Sequence, residues 1–494
     1  MRGLAGRLRY LLLSTRGLVL LAIGFVALVT VVWSTLSGPM VEWGVKDFVV
    51  RVLGMRLVEA EREGRIITLY HAIAFPVVAV LVYLMTDSLP MRPQQAATIN
   101  GTITAGYLTA SVSGMIFAYF GRNWVLHGLF VAGQALIFYA GVLLALALWP
   151  WQPCYRVTDP ARARTRGGVD LERVAFFTMT VATLGSAALG AVAGSHFGNG
   201  FKSFLAEDLV REPVKTFLQK AVIGHLHIML TLIAIATALL IGRWFGFRGV
   251  FHRIAMPLMI LGTVVVTLGA WSVVITPHAH AIIYVGSVLV MLAALMLVIF
   301  GWSKLVQEGL ARVGPRAGRP RPGQRLWALI HDPLRFGALW QMVYMNFTVS
   351  GVGIFMAIKL DEIFRVWPHR EERILLTGHW HILSALIATI LLLYFADMMG
   401  VRGVARQVYG WTIVLGSNLA FGAVTVFGLK RLFVSEYEQQ RLVAATLLLA
   451  DIGLAAVLVA LAAFLIWRLQ DLFRRRGMWA GELEAQEPGE GGYR

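Results

Sequence analysis

The stretch 377–398, TGHWHILSALIATILLLYFADM, decides the fold class. Between Ile382 and Ala396 it carries no charge. At 1.5 Å per helical residue the segment measures about 33 Å, enough to cross a hydrocarbon core of about 30 Å. Two histidines, His379 and His381, stand at its head. Ionisable side chains inside an apolar span are costly and are commonly retained for function.

Similar runs recur along the whole chain. We place spans near 17–36, 66–87, 103–121, 126–149, 174–194, 219–241, 254–275, 280–302, 338–358, 378–398, 409–428 and 443–467. The expected fold is all-α, a polytopic membrane bundle of about twelve helices. Composition agrees: of 494 residues, 58% are hydrophobic and 14% are charged, against about 25% charged in soluble domains. Mean hydropathy is +0.70. The net charge of +17 is not the mark of a nucleic-acid binder, because the basic residues sit in loops between spans. Arg2, Arg7 and Arg9 precede the apolar run Gly17–Thr35, which has no A-x-A end and reads as a retained first span rather than a signal peptide.

Residues 1–475 read as one transmembrane domain. Residues 476–494, with GELEAQEPGEGGYR, read as a disordered cytoplasmic tail. An even number of spans puts both termini on one side. Loops 156–173, 243–253 and 304–335 are basic, as is the tail at Arg474, Arg475 and Arg476, whereas 276–279 holds no Arg or Lys. That bias places both termini in the cytoplasm of a prokaryotic inner-membrane protein. Segment 42–60 is apolar with charges at intervals and is expected at the outer interface.

The chemistry lies in the histidines. The chain has 12. Threaded on this topology, His71, His225, His227, His278, His280, His379 and His381 all fall near the outer ends of four separate regions. One histidine on an apolar helix is ordinarily a hydrogen-bonded core residue; a coplanar set from distant segments is not explained that way. Neutral imidazole ligates iron and copper and is the usual axial ligand of b-type haem. The single cysteine, Cys154, excludes an intramolecular disulfide, a CxxCH haem attachment and cysteine-ligated iron–sulfur or dicopper centres. Membrane carboxylates are few, Asp397 and Asp451 being the clearest, so a hard-cation site is not expected. Residues i and i+2 of a helix point about 200° apart. His379 and His381 therefore face opposite flanks of span ten, and one helix can serve two cofactors.

This ordered set resembles the catalytic subunit I of the haem–copper oxidase superfamily. GRIITLYHAIAF (64–75) and VIGHLHIML (222–230) are similar to the entries of helices two and six in C-family oxidases and nitric oxide reductases. The resemblance covers nearly the whole chain. It implies two haems, taken as b-type, with His71 and His381 as axial ligands of a low-spin haem and His379 as proximal ligand of a high-spin haem. His225, His278 and His280 would hold a distal copper or non-haem iron, with His227 as an alternative. Lys430 and Arg431 would meet haem propionates. The implied activity is reduction of nitric oxide or oxygen, with electrons from cytochrome c or quinol delivered through a separate donor subunit. The alternative is a copper-less di-haem electron-transfer subunit of a larger redox complex. The chain departs from the family in places. Ala279 separates His278 from His280, and no tyrosine follows His225 by one turn. Spans six and eight lack the Lys and Glu of the usual proton-uptake routes, which argues against proton pumping.

Overall fold

The computed structural model describes residues 3–36, 39–196, 215–276, 278–313, 321–474 and 479. We label its long helices α1 (Thr15–Ser34), α2 (Arg62–Ser88), α3 (Pro93–Tyr119), α4 (Trp124–Ala147), α5 (Leu171–His196), α6 (Phe217–Phe245), α7 (Val250–Ser272), α8 (Ala279–Val313), α9 (Pro333–Ile358), α10 (His369–Met398), α11 (Gly403–Leu429) and α12 (Glu436–Arg474). Among the described residues, eleven helical segments are long and apolar enough to cross a membrane. The twelfth long helix, α3, has 27 residues but a more polar sequence. The protein is thus an all-α, multi-pass membrane bundle. Among the described residues the only non-helical pairing is one isolated bridge, between Arg164 and Asp170.

Several helices are longer than a hydrocarbon core requires. α8 has 35 residues and α12 has 39, about 52 and 58 Å at 1.5 Å per residue. The sequence reading ended these spans earlier, because hydropathy stops at the headgroups whereas backbone hydrogen bonding does not. α3 begins at Pro93, ten residues before the expected span; proline fits the first helical turn, where its missing N–H is not needed. The polar groups of α3 are satisfied by its neighbour: the Tyr83 hydroxyl bonds Thr104 at 2.6 Å, and Thr86 donates to Asn100 at 2.9 Å. α9 changes to π-helix over Tyr344–Val349. Segment 39–61 forms short helices outside the bundle, with Trp43, Phe48 and Val52 exposed. Arg56 N–H donates to Tyr119 O at 2.6 Å, which ties that segment to the end of α3.

Small residues let helices approach closely, as expected where lipid removes the hydrophobic drive between helices. At the crossing of α11 and α12, a Cβ on Gly416 would lie 2.9 Å from Gly453 O.

The two ends of the bundle differ in chemistry. His71, His225, His227, His379 and His381 lie toward one end. At the other, Arg162 pairs with Asp170 at 2.9 Å and with Glu172 at 2.5 Å, and Arg243 reaches Glu172 at 3.3 Å. Arg406 joins Asp332 at 2.7 Å and Asp397 at 2.5 Å, and Trp244 donates to Asp397 at 2.7 Å. His227 and Arg243 on α6 are separated by about 24 Å of helix, as are His381 and Asp397 on α10. Most side chains between the two layers are apolar and buried, from Ile228 to Ile241 on α6 and from Ile382 to Ala396 on α10.

Gly453→Val should push α12 off α11 and cost about 1–3 kcal/mol through overpacking. Thermal unfolding of the detergent-solubilised protein measures this; an unchanged midpoint would contradict the close crossing.

Candidate functional site

The site is assembled from α2, α5, α6, α9 and α10. His71, on α2, directs Nδ1 at Ile67 O, 2.8 Å away. His225, on α6, directs Nδ1 at Ser186 O on α5 at 2.9 Å. His227 bonds Ile223 O through Nδ1 at 2.8 Å. A carbonyl oxygen only accepts, so in each ring Nδ1 carries the proton. In the neutral imidazole, Nε2 is then the nitrogen with the lone pair. This arrangement suits a metal ligand: one ring nitrogen fixed by a backbone acceptor, the other left to coordinate.

His71 and His225 face each other with ring centroids 6.4 Å apart and planes inclined by 10°. His227 turns to the other flank of α6, edge-on to Trp380 of α10 at 6.2 Å. It lies close enough to His379 and His280 to interact electrostatically with both. The i, i+2 geometry thus acts as expected on α6. It does so on α10 too, where His379 lies against Gly353 of α9 and His381 meets the Tyr70 hydroxyl of α2 at 3.0 Å.

Two glycines make room for these rings. A Cβ on Gly353 would lie 2.6 Å from His379 Cε1, and one on Gly190 would lie 2.9 Å from His225 Nε2. Trp271 Nε1 donates to the Ser186 hydroxyl at 3.1 Å, which steadies the residue whose carbonyl holds His225.

A cavity of about 380 Å³ lies beside α10, with His379 and His381 in its wall together with Thr348, Val352, Thr425 and Phe427. Its size and mainly apolar lining are those of a small-molecule pocket. Next to it, Lys430 and Arg431 both bind the Glu371 carboxylate, at 3.2 and 2.6 Å. Burial raises the Glu371 carboxyl, but hydrogen bonds from Arg431 and Lys430 outweigh that and hold it below the ordinary carboxylate range. The basic pair is therefore a carboxylate-binding pair, here engaged by the chain's own glutamate.

The expected distal trio does not gather. His225 faces His71, whereas His278 and His280 are exposed at the start of α8, with His280 beside Tyr284 at 6.4 Å. Pro277, which bears on the shape of that turn, lies outside the described residues. Among the described residues no three His, Cys, Asp or Glu side chains converge to hold a bare ion. Of the expected pair His71 and His381, the His381 Nε2 lies 3.0 Å from the hydroxyl of Tyr70, on the same helix as His71.

Sequence reasoning missed Tyr70, Ser186, Gly190, Gly353, Trp271 and Glu371. The glycines had a readable signal, since small residues interrupt both spans (GSAALGAVAG and SGVG). The pairing of Glu371 with residues about sixty positions away had none. Comparison of the chain with known family models, curated proteins and solved structures finds no match.

Gly190→Ala should force His225 off the Ser186 carbonyl and lower stability by about 1–3 kcal/mol, read from thermal unfolding. Glu371, with its depressed pKa, stabilises fully above the ordinary glutamate value of about 4.3. That contribution disappears as pH falls through the lower folded value. Glu371→Gln should lower the unfolding temperature at pH 7, and that gap should narrow at a pH well below the ordinary glutamate value. An equal gap at both pH values would contradict the ion-pair account.

Proposed function

We propose that this chain is a respiratory haem oxidoreductase of the membrane, akin to haem–copper oxidase subunit I. It reduces a small gas, nitric oxide or oxygen, with electrons from cytochrome c or quinol passed through a separate donor subunit. The observation that carries this reading is the gathering of imidazoles from α2, α6 and α10 at one end of an apolar bundle, three of them tethered through Nδ1 to a carbonyl. So many imidazoles in so apolar a region mark a functional site.

The residues suit haem in three respects. The Nε2 lone pairs of neutral rings are iron ligands. The cavity at His379 and His381 is apolar and of ligand size. Lys430 and Arg431 already hold a carboxylate beside it, and haem presents carboxylates of its own. Bound there, haem would supply electron transfer and gas binding. The chain's part is to fix the ligand rings, exclude water with the apolar wall and neutralise carboxylate charge at the rim. The basic loops support an inner-membrane location with cytoplasmic termini.

A second reading, a copper-less di-haem relay within a larger complex, is favoured by one observation: the His225 ring lies parallel to that of His71, while His278 and His280 are exposed. A reduced-minus-oxidised spectrum with and without carbon monoxide, with metal analysis, separates the two. Haem bands with a carbon monoxide shift and one copper or non-haem iron per chain are expected of the gas reductase. Haem that ignores carbon monoxide marks the relay. A colourless purified protein overturns both.

A further inference from the structure

The cavity beside α10 and the basic pair next to it are joined through shared segments. Ile374, Leu375 and Gly378 of α10 and Phe427, Gly428 and Leu429 of α11 belong to the cavity wall. Lys430 and Arg431 follow Leu429 directly, and Glu371 stands one turn before Leu375 on α10. The Lys430 ammonium lies 4.7 Å from the ring centroid of Phe427, itself a wall residue. Resting on the haem reading above, we infer that Glu371 is the chain's own stand-in for a haem carboxylate. It holds Lys430 and Arg431 until that carboxylate takes its place, so that loading of the cavity and release of Glu371 are one event.

The contact geometry suits such an exchange. Both cations bind the same oxygen, Oε2 of Glu371, at 3.2 and 2.6 Å. One carboxylate oxygen from a ligand can take over both contacts. Lys430 is only 5% exposed, and a buried ammonium stripped of its partner is costly. Swapping carboxylate for carboxylate never leaves it unpaired. Glu371 is the partner with room to leave, since its side chain is 22% accessible against 6% for Lys430. It lies in the first turn of α10, whose N-cap makes no side-chain hydrogen bond. A carboxylate rotated outward there still meets the positive end of the helix dipole.

The cavity calls for the same class of ligand. His379 and His381 stand in its wall, its lining is mainly apolar, and Glu371 precedes His379 by about 12 Å of helix. An apolar body with an acidic edge answers all three. The stability that the Glu371 ion pair contributes belongs to the unliganded chain alone, so its removal appears as tighter ligand binding.

The test is the rate at which the purified full chain loses haem to an excess of apomyoglobin. Glu371→Gln should slow that loss about tenfold, the worth of one hydrogen-bonded charge, and Glu371→Asp, with its charge kept and its reach shortened, should fall between. Lys430→Met should speed it. A Glu371 that only braces the bundle predicts the opposite sign, faster loss in Glu371→Gln. Haem dimethyl ester has no free carboxylate to offer, so wild type and Glu371→Gln should bind it equally. Haem leaving Glu371→Gln at the wild-type rate or faster, or an equal gain in affinity for the ester, overturns the exchange and leaves the haem reading standing. A wild-type chain that shows no haem bands and binds no added ferric haem removes both.

Discussion

The structure depends on how an apolar bundle tolerates imidazole. A neutral ring buried among helices must place its N–H, and the nearest acceptors are carbonyls freed or shared by helical backbone. His71 and His227 use the carbonyl four residues back, at Ile67 and Ile223, while His225 reaches across to Ser186 on a neighbouring helix. Once the N–H is placed, the ring can no longer turn freely, and its second nitrogen has a fixed direction. Helix packing then decides which nitrogens face one another. Close approach at Gly190 and Gly353 is therefore part of the same constraint, because it brings helix backbones near enough for the rings to fill the space between them.

The far end of the bundle solves a different problem. Its arginines and carboxylates are paired in short chains, Arg162 and Arg243 on Glu172, and Arg406 on Asp332 and Asp397. Such charges are tolerated near a membrane only when paired or at the interface. They hold α5, α6, α9, α10 and α11 in register, so the histidines on α6 and α10 are placed by contacts about 24 Å away along each helix.

Much of the fold was legible in the sequence, because hydropathy and helical rise set which segments can span a bilayer. Those that strayed were predictable in kind. α8 and α12 continue beyond their apolar cores, and α3 is long but polar enough to rely on Tyr83 and Thr86 of α2. The histidine layer was legible too, as was the opposed facing of His225 and His227 and of His379 and His381, since both follow from 3.6 residues per turn. What could not be read was partner choice. Whether His71 meets His225 or His381 depends on helix rotation, which is set by glycine contacts and by hydrogen bonds such as Tyr70 to His381, and neither has a signature in spacing.

α10 carries His379 on one flank and His381 on the other, against Gly353 and Tyr70 respectively. Two groups on opposite sides of one stiff rod cannot be adjusted separately. A sideways shift of α10 by a fraction of an ångström that presses His379 toward α9 draws His381 away from α2 by the same amount. The helix acts as a lever whose two arms are coupled in opposite senses, and a disturbance on one flank is transmitted mechanically to the other.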